Sequence, residues 1–143
     1  MRWCAGTIRG VDPIDDFLSG KLFAVAGASN DPEKYGNRVL KAYRRAGLEV
    51  IPVNPRENEV DGLPCVHRIA DLPAGVHGLS IVTPPQVGTA LVEDAAAHGI
   101  KRVWFQPGAE SAEALARAKA LGMVAIADGA CVMVALARRA GAQ

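Results

Sequence analysis

Short runs dominated by apolar residues alternate with amphipathic stretches along most of this chain. The runs at 22–26, 49–53, 79–82, 102–105 and 124–127 are strand-sized and lack polar alternation, the mark of strands buried on both faces. Between them the period lengthens to that of a helix. Over 36–46, Val39, Leu40 and Tyr43 form one face and Arg38, Lys41, Arg44 and Arg45 the other, and Gly47 ends the pattern. Helices are likewise predicted over 87–98, closed by Gly99, over 111–121, closed by Gly122, and over 131–139. Asp12-Pro13 places an N-cap and a first-turn proline on a short helix that Ser19-Gly20 ends. Residues 1–10 have weak periodicity and read as an arm. Residues 60–64 read as a turn, Cys65-Val66 as a short third strand, and 71–74 as a helical turn.

Strand and helix alternate with connections long enough for crossovers, which predicts an α/β fold: one doubly wound, mainly parallel, Rossmann-like sheet. At 143 residues the chain forms a single domain with a sizeable core. We divide it into an arm with a short helix (1–20) and a nucleotide-binding domain (21–143). Ligands on such sheets bind outside the carboxyl ends of the strands. The loops that matter are then 27–36, 54–59, 83–86, 106–110 and 128–131.

Composition narrows the function. The net charge of +1 gives no electrostatic case for nucleic acid or an anionic membrane. No apolar stretch is long enough to span a bilayer, and no signal-peptide h-region follows Met1. The three cysteines (Cys4, Cys65, Cys131) are far apart, and His67, His77 and His98 form no ligand spacing. That predicts reduced thiols, a cytoplasmic setting and no metal site.

The candidate chemistry starts in the loop after the first strand. Gly27 and Ala28 allow a ligand to approach the main chain, Ser29 offers a hydroxyl and Asn30 an amide. The following helix start supplies free N–H groups, with Lys34 and Arg38 as cations. The loop is neither GxGxxG nor GxxxxGK[ST], which weakens an NAD reading and removes the usual ATP-hydrolysis loop. At the end of the second strand an NAD domain carries a carboxylate; this chain has Asn54-Pro55-Arg56, and a cation there suits a ribose phosphate. Thr83-Pro84-Pro85 fixes a rigid, apolar wall, and Gln106 with Gly108 could contact a ligand after the fourth strand. A plain βα turn, a solvated arginine and strand-ending prolines are the alternatives for the same residues.

Together these pieces resemble the stand-alone CoA-binding domain family, whose fold is similar to the N-terminal domain of the succinyl-CoA synthetase α-subunit. The matching residues are Val25-Ala26-Gly27-Ala28-Ser29 with Tyr35-Gly36, Val50-Ile51-Pro52-Val53-Asn54-Pro55, Val82-Thr83-Pro84-Pro85, and Val103-Trp104-Phe105-Gln106 with Gly108, roughly residues 20–128. The resemblance implies coenzyme A or acyl-CoA as ligand. It implies Gly27, Ala28 and Ser29 at the pyrophosphate, and Lys34, Tyr35 and Arg56 near the phosphates or adenosine. It puts Thr83, Pro84 and Pro85 beside the adenine or pantetheine, and Gln106 and Gly108 farther along. Ligase activity does not carry over, because the chain offers no phosphohistidine loop and no second domain. The stretch from Asp128 to Val134 departs from the family in being mostly apolar.

No catalytic constellation is evident. Cys131 precedes a helix start, where a thiol can be activated, but the neighbouring valines predict a packed residue. The reading is a small binding or regulatory module without turnover. An NADP-linked oxidoreductase and an interaction protein with a vestigial nucleotide pocket are the alternatives. A homodimer, an unknown protein partner and a covering role for Trp3 stay open.

Overall fold

The computed structural model describes Cys4–Ala5 and residues 11–141. Its elements run β1 (Cys4–Ala5), α1 (Pro13–Leu18), β2 (Leu22–Ala26), α2 (Tyr35–Arg45), β3 (Glu49–Val53), β4 (Glu59–Val60) and β5 (Leu63–Pro64). There follow a 3-10 turn (Ile69–Asp71), β6 (Gly78–Ile81), a second 3-10 turn (Pro85–Val87), α3 (Gly88–Ala97), β7 (Arg102–Phe105), α4 (Ala112–Ala120), β8 (Val124–Ile126) and α5 (Val132–Gly141).

The main sheet has the order β1-β8-β7-β6-β2-β3. The five strands from β2 onward are parallel, and β1 is an antiparallel edge. Among the parallel strands the chain steps outward from β2 to β3, then returns to the other side of β2 with β6. The carboxyl ends of β2 and β6 therefore flank the switch point where ligands lodge in such sheets. The expected third strand is reduced to a single parallel bridge, Val53 to Val66, at the β3 edge.

Two cores cover the two faces, which makes the sheet doubly wound. On one face α3 and α4 pack on Ala24, Leu79, Ile81, Val103 and Phe105. On the other, α1, α2 and α5 pack on Phe23, Val25, Trp104 and Ile126. Aromatic rings organise this second face: Phe23 stacks on Phe17 and Tyr43 at 5.5 and 5.1 Å, and Trp104 meets Phe17 edge-on at 5.2 Å. Phe17 thus ties α1 into the core. Two buried pairs sit here, Tyr43 with Ser80 at 2.7 Å and the Trp104 indole N–H with the Ala130 carbonyl at 2.9 Å.

Some elements differ from expectation. The arm contributes β1, and the rest of it, including Trp3, lies outside the described residues. Residues 59–64 form a two-residue hairpin, β4 with β5, rather than a simple turn. The turn expected over 71–74 forms over Ile69–Asp71 instead. The N-cap reading of Asp12 holds: its carboxylate accepts from Ile14 N at 2.8 Å, ahead of Pro13.

Candidate functional site

The loop after β2 is built for close approach. Gly27 sits at φ +92°, which L side chains rarely adopt, and a Cβ there would stand 3.1 Å from the Val82 backbone and 3.2 Å from Thr83 Cγ2. Gly27 N extends the ladder by donating to Val53 O at 3.1 Å. Gly36, in the first turn of α2, lies directly on the Gly27 carbonyl, so a Cβ there would collide with that oxygen. The helix start is thereby seated on the loop. No side chain caps α2, and its first turn carries no acid, so its N-terminal dipole is uncompensated.

Three asparagines hold the loop. Asn54 Nδ2 donates to Ala28 O at 2.8 Å while its Oδ1 accepts from Arg56 N at 2.8 Å, which locks the β2 loop to the β3 loop and sets the backbone of Arg56. Asn37 Nδ2 donates to Ser29 O at 2.8 Å. Asn30 donates to Glu57 Oε2 and Glu59 O and accepts from Asp61 N, so its amide is committed to the β4–β5 hairpin. Ser29 Oγ accepts from Asp31 N at 3.0 Å and keeps its own proton available.

Two cavities meet over this loop. The larger, about 450 Å³, lies at the carboxyl ends of β2 and β3, and the smaller, about 260 Å³, lies toward β7. Thr83 and Pro84 line both, so together they make one groove across the switch point. Of the residues singled out from sequence, Gly27, Asn54 and Arg56 line the larger cavity, and Tyr35 and Gly108 the smaller. Ala28 is buried behind the loop, while Lys34 and Pro85 are exposed and line neither cavity. Gln106 is fully buried; its Oε1 accepts from Val132 N at 2.9 Å, capping α5, and its Nε2 has no partner among the described residues. Thr83 Oγ1 is also buried without a partner, at the junction of the two cavities.

Sequence reasoning missed His67, Arg68, Ile69, Leu91 and Asp94, which complete the larger cavity. The first three arrive because the crossover from β3 returns alongside that strand at Val66. Asp94, exposed on α3, lines the cavity from that side. His67 Nε2 meets Asn58 Oδ1 at 2.8 Å. Arg68 pairs with Asp71 at 3.2 Å, and that hydrogen bond, reinforced by the charges of Asp71 and Asp94, holds its guanidinium above its ordinary range. The Arg56 side chain makes no ion pair among the described residues. Among the described residues the larger cavity thus presents a cation without an ion pair (Arg56), a paired cation (Arg68) and a carboxylate (Asp94) around an apolar floor.

At the far end, the Tyr35 hydroxyl and Cys131 Sγ share a 2.6 Å hydrogen bond. Burial, and then that bond and the nearby thiol, push the Tyr35 hydroxyl well above the usual tyrosine range. Cys131 is half-buried, directly before α5. Burial also raises the Cys65 thiol, which approaches the Asn54 carbonyl at 3.8 Å. The described residues contain no cluster of metal-ligating side chains, and no helix among them is long and apolar enough to cross a membrane.

Known proteins fit this geometry. A 91-residue stretch, 63% of the chain, is 35% identical to the α subunit of the ADP-forming acetate–CoA ligase II of Pyrococcus furiosus, and matches 20% of that subunit. The chain therefore spans about a fifth of the length of that relative. The uncharacterized protein YneT of Bacillus subtilis is 29% identical over 115 residues, 80% of this chain and 84% of its own. A solved conserved hypothetical protein of Pyrococcus furiosus superposes with a TM-score of 0.77 at 41% identity, over 80% of this chain and 98% of that one. The profile of the CoA binding domain matches residues 21–137, and the chain belongs to that family.

Proposed function

We propose that the groove binds coenzyme A or an acyl-CoA, and that the chain works as a cytoplasmic binding or regulatory module without turnover. The observation that carries this reading is the pair of cavities meeting at Thr83-Pro84 over Gly27. CoA is long and has two unlike ends, and the groove does too. The larger cavity, with Arg56 on its rim, suits the phosphorylated adenosine, and Asp94 there can accept from a ribose hydroxyl or an adenine amino group. The smaller, lined by Tyr35, Pro107 and Gly108, suits a pantetheine arm. Gly27, Ser29 and the uncapped start of α2 suit the pyrophosphate. The orphaned Thr83 Oγ1 supplies a donor for a ligand crossing between the cavities.

Family membership and the ligase relative support a CoA-type ligand. The ligation reaction does not come with it, since the match covers only a fifth of that subunit. The binding unit is taken to be residues 21–143, with 1–20 as an added arm.

A thermal-shift titration of the reduced protein with CoA, acetyl-CoA, dephospho-CoA, NADP and NAD tests the reading. A ligand at one hundred times its Kd should stabilise the fold by about 2.7 kcal/mol. The expected result is a shift with CoA and a smaller one with dephospho-CoA. A shift with NADP alone would transfer the chain to the oxidoreductases, and silence from all five would leave a vestigial pocket.

A further inference from the structure

On the sheet face covered by α2 and α5, these two helices leave a trough between them. Two recesses, of about 270 and 320 Å³, share Arg45 and Met133 and so run together along it. Its floor is apolar, made by Ala42, Met133, Leu136 and Ala137. Its rim on α2 carries Arg38, Lys41 and Arg45, spaced to stand on one stripe of the helix. Neither helix contains an acidic residue. Of the neighbouring cations, Arg44 pairs with Asp61 at 3.2 Å and Arg139 with Asp15 at 3.8 Å. Arg38, Lys41 and Arg45 make no ion pair among the described residues. In a chain of net charge +1 this concentrates positive charge on one face. At the Pro32 end of the trough, Asn37 is 1% exposed, and its Oδ1 is a buried acceptor without a donor.

We propose that this trough docks an acidic amphipathic helix of a protein partner. An apolar floor between basic lips is complementary to a helix with leucines on one stripe and carboxylates beside them. The length fits: α2 has 11 residues, which at 1.5 Å per residue is about 16 Å, or three turns of a docked helix. A second copy of this chain would bring the same uncompensated cations against these. A bilayer surface suits a protruding apolar face rather than a recessed one.

The test is fluorescence anisotropy of the whole chain with a labelled synthetic helix, leucine at i, i+3, i+4 and i+7 and glutamate elsewhere. The same helix with lysine for glutamate is the comparison. Saturable, salt-sensitive binding of the glutamate helix alone is expected. R38E/K41E/R45E should weaken it by about tenfold or more, and the charge-neutral Ala137→Trp, which fills the floor, should weaken it as well. K21E/K101E, which changes exposed lysines before β2 and β7, should leave it intact. Equal binding of both helices, no saturable binding, or an equal loss in K21E/K101E would overturn the proposal. Capture on anionic phospholipid vesicles that is stronger than peptide binding and lost in R38E/K41E/R45E would overturn it in favour of a membrane. CoA titration of the same variants is read separately, so failure here leaves the nucleotide groove untouched.

Discussion

Replacing Gly36 with alanine sets two effects of opposite sign against each other. In a helix alanine is favoured over glycine by about 1 kcal/mol, so in open space G36A would stabilise α2. Here the added methyl meets the Gly27 carbonyl, with the Gly27 C and Ala28 Cα at 3.0 and 3.2 Å behind it. These are backbone atoms, and Gly27 itself is held between Val53 and Thr83, so no side chain can swing away. Overpacking of this kind costs about 1–3 kcal/mol and, against backbone, belongs at the upper end. The net expectation is a loss of about 1–2 kcal/mol, or about 3–8 °C in Tm for a chain of this size. The start of α2 must also move off the loop, which should weaken CoA by about tenfold because the dipole and N–H groups act only at short range. Gly88→Ala is the control: its Cβ would meet the Ala114 methyl on α4 at 3.1 Å and Phe105 Cε1 at 3.4 Å, side-chain contacts that helix sliding can relieve and that do not involve the Gly27 loop. Thermal unfolding and calorimetric CoA titration of both variants give the answer. A G36A protein as stable as the parent with unchanged affinity would refute the seating of α2 on the loop.

Arg56→Ala should weaken CoA by about 1.5–3 kcal/mol, the worth of a charge-assisted contact, and should barely change dephospho-CoA; calorimetry with both ligands checks this. Asn54→Ala strips the partner from the Ala28 carbonyl and frees the Arg56 turn, so urea unfolding should show a loss of about 1–3 kcal/mol. The chain's two tyrosines, Tyr35 and Tyr43, both have hydroxyls raised above the ordinary range, chiefly by burial. Their contribution to stability is therefore complete below the unfolded tyrosine value of about 10 and declines as pH rises above it toward the folded values. A spectroscopic titration should show no native phenolate near that pH, and a gradual phenolate signal there from the folded protein would contradict their burial.

The parallel core was legible because each of its five strands is a short apolar run, and because Gly47, Gly99 and Gly122 punctuate the helices between them. The switch-point loops followed from that order, and so did Gly27, Arg56 and Thr83. The rest depends on placement that periodicity does not encode. Two-residue strands such as β1, β4 and β5 are too short to show a period. His67 and Arg68 reach the larger cavity only because a crossover folds back beside β3, and exposed Asp94 does so only because α3 lays that turn along the cavity's edge. Asn30 and Gln106 were legible as polar residues near strand ends, but their partners, the β4–β5 hairpin and the first N–H of α5, lie 26–31 positions along the chain.

Amide chemical shifts of the isotope-labelled protein, followed during CoA titration, test the central claim most directly. The account predicts saturable movement of Gly27, Arg56, Thr83 and Gly108, the residues that line the two joined cavities, with the amides of Met133 and Ala137 in the α2–α5 trough unmoved. Movement confined to that trough, or none at saturating CoA, would contradict it.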